Sequence, residues 1–179
     1  MTIKISVFIA TSLDGFIARK NGDIDWLTAA DNSGEDHGYG EFMSSIDILV
    51  MGRHTYEKVL TFEPWPYPGK KVIVLSSGHP LIPGELADKV QVLNQTPQDL
   101  LKTLAGYGAR HVYLDGGRTI QQFLKDGLVD EMTITLIPVL IGDGLPLFGL
   151  LDHDVKFQLT KSKSFKNGFV QSKYALEKT

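Results

Sequence analysis

The sequence predicts an α/β fold: a mostly parallel central sheet flanked by helices, with a C-terminal antiparallel hairpin. Two observations carry this. Short runs of aliphatic and β-branched residues recur between segments whose apolar residues fall at i, i+3 and i+4, the alternation of buried strands with amphipathic helices. The tail instead alternates over 155–164 and 168–176 around Lys166-Asn167-Gly168, which is a hairpin pattern. No repeat, linker or low-complexity stretch divides the 179 residues, so the chain reads as one domain over 1–179.

The elements follow in order. Ile3 to Thr11 is a buried strand, and Ser12-Leu13-Asp14-Gly15 turns it into a short extended piece, Phe16-Ile17-Ala18. A polar turn through Asn21-Gly22 leads to Trp26, which either folds back over a pocket or begins a core segment. Residues 31–37 are polar loop, and a helix carrying Tyr39, Phe42 and Met43 follows. Ile46 to Met51 is a strand that ends in Gly52-Arg53-His54-Thr55, and the proline-rich segment 64–69 must be loop. Lys71 to Leu75 and Val90 to Leu93 are further strands. Thr96-Pro97 starts a helix with Leu100, Leu101 and Leu104 on its apolar face, Thr96 capping it and Pro97 at its first position. His111 to Leu114 is a strand, Gly116-Gly117 a sharp turn, and Ile120, Phe123 and Leu124 mark the next helix. Asp130 to Ile137 is the last strand before the hairpin.

Composition narrows the function. A formal net charge of -3 and the lack of any basic run give no reason to expect a nucleic-acid partner. There are no cysteines, which excludes disulfides and thiolate metal sites and fits a reducing compartment. No signal peptide and no apolar run long enough for a membrane span are visible, so the cytoplasm is the expected location. His37, His54, His79, His111 and His153 lack ligand-like spacing, and no metal is expected.

In an open sheet, ligands collect at the carboxyl ends of the strands. Three of the predicted strands end in small, hydroxylated or cationic residues: Gly52-Arg53-His54-Thr55, Ser76-Ser77-Gly78-His79 and Asp115-Gly116-Gly117-Arg118-Thr119. The last also opens a helix, whose first N–H groups and positive dipole end favour phosphate. The serines at the end of the third strand come with no carboxylate to greet a bare ribose 2′-hydroxyl. With Arg53 they suit a 2′-phosphate instead, favouring NADP over NAD.

These motifs carry a family resemblance. The segments 50–57 and 68–77 and the Gly116-Gly117-Arg118 turn, in that order and at compatible spacing, resemble the dihydrofolate reductase superfamily and imply its fold. Ser12-Leu13-Asp14-Gly15-Phe16-Ile17-Ala18 resembles that superfamily's mobile loop beside the nicotinamide, with Trp26 at its end. The resemblance implies that Ala10, Thr11, Ile17 and Ala18 line the nicotinamide of NADPH. It implies that Gly52, Arg53, His54, Thr55, Ser76 and Ser77 hold the pyrophosphate and 2′-phosphate, and that Gly116, Gly117, Arg118, Thr119 and Ile120 cradle the rest of the bridge.

The segment Ile137-Pro138-Val139-Leu140-Ile141-Gly142-Asp143-Gly144-Leu145-Pro146-Leu147-Phe148 has no counterpart in ordinary folate reductases. It resembles the reductase domain of the bifunctional riboflavin-pathway deaminase-reductases and the stand-alone bacterial proteins related to them. The implied reaction is hydride transfer from NADPH to a small substrate of the 5-amino-6-(5-phosphoribosylamino)uracil type. Sixteen positions before Gly52 stands Asp36, at the place of the acid that protonates the pterin in folate reductases. Asp36 or Glu35 is therefore the expected proton donor, with Asp14 behind them. Trp26 and Thr135 are the expected substrate contacts. Lys70, near the position of the arginine that holds a folate tail, does not reproduce a bidentate clamp. Dihydrofolate reduction and a non-catalytic NADP-binding module are the alternative functions. Relatives in this branch tend to pair, and the apolar stretch 137–148 is a candidate homodimer surface.

Overall fold

A computed structural model describes residues 2–31 and 33–177, so the two ends of the predicted domain, Met1 and Lys178-Thr179, lie outside the described residues. Eight strands form one sheet in the order β5-β4-β3-β6-β1-β7-β10-β9. Their ranges are β1 Lys4–Ser12, β3 Ile48–Gly52, β4 Lys71–Leu75, β5 Val90–Leu93, β6 His111–Asp115, β7 Glu131–Ile137, β9 Phe157–Ser164 and β10 Val170–Leu176. From β5 through β7 every neighbour is parallel, whereas β10 runs antiparallel to β7 and β9 antiparallel to β10. This is the predicted mostly parallel sheet with a hairpin at one edge. Two short strands, β2 Phe16–Ala18 and β8 Leu145–Pro146, pair with each other apart from it.

Helices cover both faces because successive residues of a buried strand point to opposite sides. On one face α4 (Pro97–Gly106) and α5 (Gly117–Lys125) set Leu100, Leu104, Ile120 and Phe123 against Ile5, Val7 and Val50. On the other, α2 (Tyr39–Ser44) and α3 (Arg53–Val59) bring Phe42, Tyr56 and Val59 onto Leu49, Met51 and Tyr113. The cap expected of Thr96 is present, its hydroxyl accepting the Asp99 N–H at 3.2 Å.

Several bounds move by one or two residues, with β1 at Lys4–Ser12 rather than Ile3 to Thr11, β6 ending at Asp115 rather than Leu114, and the hairpin strands starting at Phe157 and Val170. Three further departures have a definite physical cause. β3 begins at Ile48 rather than Ile46, because the Asp47 carboxylate accepts the N–H groups of Arg110 and His111 and so pins the preceding loop instead of extending the ladder. β7 begins at Glu131 rather than Asp130, whose carboxylate accepts the Ile5 N–H. Trp26 opens a helix absent from the sequence reading, α1 (Asp25–Ala30), and packs with Ile137 and Phe169.

Phe123 is fully enclosed between α5 and the sheet. Phe123→Ala should lower unfolding free energy by about 3–5 kcal/mol, the usual loss for truncating a buried phenylalanine. Urea unfolding followed by circular dichroism checks this.

Candidate active site

The expected ligand edge comprises the ends of three adjacent strands, since β4, β3 and β6 are parallel neighbours and their carboxyl ends lie side by side. At Gly52, closing β3, an added Cβ would sit 2.9 Å from Thr119 Oγ1. At Gly116, between β6 and α5, it would collide with the side chain of Thr55, and the φ of +89° is itself a left-handed conformation that favours glycine. The two glycine turns therefore interlock, and the starts of α3 and α5 stand against each other.

Arg53, half-exposed at the start of α3, reaches sideways to the loop after β4. Its guanidinium lies 3.3 Å from where a Cβ of Gly78 would be, beside Ser76. His54 projects into solvent and, like Arg53, faces Glu57. Ser77 and Arg118 are exposed, whereas Thr119 and Ile120 are buried in the first turn of α5.

The flap over this edge has equally definite ties. β2 lays Ile17 across Gly117, where an added Cβ would be 3.0 Å from Ile17 Cδ1. The partner strand β8 is held by Gln121, which donates to the carbonyls of Pro146 and Leu147. Asp14 accepts the Ser12 hydroxyl at 2.5 Å and the N–H groups of Ile141 and Gly142. These hydrogen bonds, that from Ser12 foremost, hold its carboxyl below the usual range. Asp14 thus fastens the turn after β1 to the segment 138–144 and is an ionised acceptor, not a proton donor.

The other two expected acids lie in the loop before α2. Asp36 is exposed and accepts the N–H groups of Gly38 and Gly40, which cap α2 and lower its pKa. Glu35 is exposed in the same loop. Of the expected substrate contacts, Trp26 is buried, with its Nε1 lacking a hydrogen-bond partner. Thr135 stands beside Ala10 in the register and accepts a hydrogen bond from Gln171 at 2.9 Å. Lys70 donates to the Ile46 carbonyl, a structural tie between the loop before β4 and the loop before β3.

The group that sequence reading passed over is Asp115. β1 and β6 pair only over Lys4–Ser6 and His111–Tyr113, while β1 continues with β7 as far as Ser12. Beyond that point the two strands part, and Asp115 closes β6 beside the gap. Phe8, on the parting stretch of β1, lends its carbonyl to the Tyr113 hydroxyl at 3.0 Å. Burial pushes the Asp115 carboxyl up to about 6, with the Gly116 N–H pulling the other way. The hydroxyls of Tyr39 and Tyr67, hydrogen-bonded to each other, and that of Tyr113 lie near it. Burial first, and the Asp115 charge second, keep all three protonated. The available signal was position: Asp115 is the only carboxylate at the three strand ends. Among the described residues, no group of three or more His, Asp or Glu side chains is arranged to hold a metal ion. Among the described residues, no helix is long and apolar enough to cross a membrane.

A mostly parallel sheet with a C-terminal antiparallel hairpin, interlocked glycine turns and a segment laid over the strand ends has the dihydrofolate reductase-like fold. The family model for the RibD C-terminal domain matches residues 3–171, and the chain belongs to that family. YwjB of Bacillus subtilis (strain 168) is 34% identical over 168 residues, covering 92% of this chain and 94% of the relative. The crystal structure of a "putative riboflavin biosynthesis protein" from Shewanella sp. PV-4 superposes with a TM-score of 0.92 at 42% identity, covering 98% of this chain and 100% of that one. A diaminohydroxyphosphoribosylaminopyrimidine deaminase/5-amino-6-(5-phosphoribosylamino)uracil reductase from Thermotoga maritima shares the fold. Its TM-score is 0.74 at 15% identity, with 97% of this chain matched to 56% of that chain.

Asp115 carries a stability signature. A carboxyl whose folded pKa lies above its ordinary 3.8 holds its proton more tightly when folded. Its burial is therefore best tolerated below about pH 4, and stability falls as pH rises toward about 6. Asp115→Asn keeps the acceptor for Gly116 and removes the charge. The variant should lose that decline and be more stable at pH 7 by roughly 1–2 kcal/mol, less than the full shift because the side chain keeps some exposure. Urea unfolding across pH 4–7 measures both effects.

Proposed function

We propose that this chain is an NADPH-dependent reductase acting on a small substrate of the 5-amino-6-(5-phosphoribosylamino)uracil type. The observation that carries the cofactor assignment is the reach of Arg53 from one strand end to the Ser76-Ser77-Gly78 loop of the next. A guanidinium beside Ser76, whose hydroxyl accepts the Gly78 N–H at 3.0 Å, with Ser77 exposed next to it, supports a receptor for a phosphate monoester, which would distinguish NADPH from NADH. Gly52, Thr55, Gly116, Gly117, Arg118, Thr119 and Ile120 would receive the pyrophosphate where the starts of α3 and α5 meet, with His54 at the rim. Ala10, Thr11, Ile17 and Ala18 would border the nicotinamide. When bound, the cofactor supplies the hydride, and the protein supplies position and the proton.

For the proton we assign Asp115 in place of Asp36 and Glu35. A partly exposed carboxyl with a pKa near 6 is protonated often enough to give a proton and ionised often enough to recover it. Asp36 caps a helix and is held ionised, which also counts against dihydrofolate reduction. Thr135 and the protonated Tyr39 and Tyr67 hydroxyls offer neutral hydrogen bonds to a heterocycle, and Trp26 shapes the site from behind through its packing on Ile137.

We also infer a homodimer, supported by the outer surface of the segment after β7. Leu140, Phe148, Leu150 and Leu151 stand exposed along it. Paired Phe148→Asp and Leu150→Asp substitutions should shift sedimentation from dimer to monomer; a monomeric wild type would refute the assignment.

Fluorescence titration with NADPH and NADH tests the cofactor reading. Wild type should bind NADPH more tightly than NADH. Arg53→Ala should weaken NADPH by roughly 10- to 100-fold, as expected for charge-assisted phosphate bonds, and leave NADH nearly unchanged. Equal losses for both cofactors would remove Arg53 from the 2′-phosphate.

A further inference from the structure

On the α2 side of the sheet, over β7, β10 and β9, lies a cleft of about 490 Å³ that the cofactor reading leaves unused. Thr133 and Gln171 line it together with the aromatic rings of Phe8, Phe42 and Phe165, and Lys4, Lys161, Lys163 and Lys173 surround it. The hairpin register explains the concentration of charge. Lys161 stands directly opposite Lys173, and Lys163 directly opposite Gln171, so all four side chains share one face. Like charges directly opposite each other destabilise a strand pair, and here the arrangement has no compensation within the hairpin itself.

The two carboxylates that line the cleft, Glu41 and Glu131, do not balance its four lysines. Glu131 receives both Lys173 at 2.8 Å and Lys4 at 3.2 Å. Lys161 and Lys163 have no carboxylate partner among the described residues, and the ammonium of Lys163 rests 4.2 Å over the Phe165 ring. Lysines on an edge strand commonly serve to discourage pairing with other chains. That explanation does not extend to Lys173, which sits on β10 inside the sheet and projects over the same cleft.

A hydrogen-bond link joins the cleft to the proposed reaction edge. Gln171 donates from its floor both to Thr135 Oγ1 at 2.9 Å and to the His37 carbonyl at 3.0 Å. Thr135 is the register neighbour of Ala10. His37 is held in a left-handed conformation, φ 52°, between the rings of Phe165 and Phe169, and its Nε2 is buried with no partner. A non-glycine residue kept in that conformation beside an unmatched polar atom is the kind of local expense found at binding sites.

We propose that this cleft is an anion subsite that seats the phosphoryl end of the substrate. Lys161 and Lys163 are its cations, and Gln171 is the neutral link to the reacting end at Thr135. Two lysines alternating on one strand face are separated by about 7 Å at the backbone, close enough for both flexible ammonium groups to meet one phosphate dianion. The subsite stands on its own geometry; its connection to hydride transfer rests on the reductase reading above.

Calorimetric titration of the full chain with ribose 5-phosphate and with ribose, at low ionic strength and without cofactor, tests it. Ribose 5-phosphate should bind and ribose should not. The double variant Lys161→Gln/Lys163→Gln should weaken ribose 5-phosphate at least tenfold, keep NADPH affinity within twofold, and melt no lower than wild type because a like-charge pair has been relieved. Arg53→Ala should leave ribose 5-phosphate binding unchanged. Equal binding by wild type and double variant, no binding by wild type, or loss of binding in Arg53→Ala would each overturn the subsite. A wild type that binds ribose 5-phosphate through these lysines but does not bind NADPH would uphold the anion subsite and sink the reductase reading alone.

Discussion

The structure depends on a reciprocal close contact between two turns. Thr119, from the first turn of α5, occupies the space beside Gly52 that a side chain would need, and Thr55, from α3, occupies the space beside Gly116. Each glycine is required by the other turn's threonine. A Cβ at either position would press on the other turn's threonine, most severely at Gly116, so one of the two side chains or turns would have to shift. Because β3 and β6 are hydrogen-bonded neighbours, the contact is also in register with the sheet, and the floor and the rim of the ligand edge are set together.

A second consequence follows from where pairing stops. β6 stays with β3 up to Asp115, whereas β1 leaves β6 after Ser6 and follows β7 to Ser12. The crevice of an open α/β sheet arises from such a parting of neighbours. Here it leaves one carboxyl at its margin, short of hydrogen-bond donors and close to three tyrosine hydroxyls. The same scarcity of water that raises this carboxyl would strengthen any hydrogen bond made to a ligand there. The acids in the loops have the opposite fate. Asp14, Asp36 and Asp47 each collect two backbone N–H groups, stay ionised, and serve the fold by fastening segments that have no ladder of their own.

The sheet also separates two electrostatic surfaces. Arg53 and the two helix starts gather positive potential at the strand ends, and the lysines of the hairpin gather it over β7, β10 and β9 on a chain that is acidic in total. Local concentration against the overall charge is meaningful because interactions between exposed charges fade within about 10 Å at ordinary salt, so each patch acts on what docks directly upon it.

The sequence by itself determined the parts whose signals are local. The alternation of apolar runs and amphipathic segments placed the strands and helices, the Thr96-Pro97 start and the Asn167-Gly168 turn marked their ends, and the three glycine- and hydroxyl-rich strand ends pointed to one edge before their adjacency was known. What tertiary structure alone decided was which carboxylates remain available. Spacing singled out Asp36, but whether a carboxylate caps a helix, ties a loop or stands short of donors depends on backbone groups brought to it by folding. The same reason hid α1, whose Trp26 is settled by Ile137 and Phe169 far along the chain, and hid the lysine cleft. Lys161, Lys163 and Lys173 are ordinary residues in the sequence, and only the hairpin register aligns them on one face.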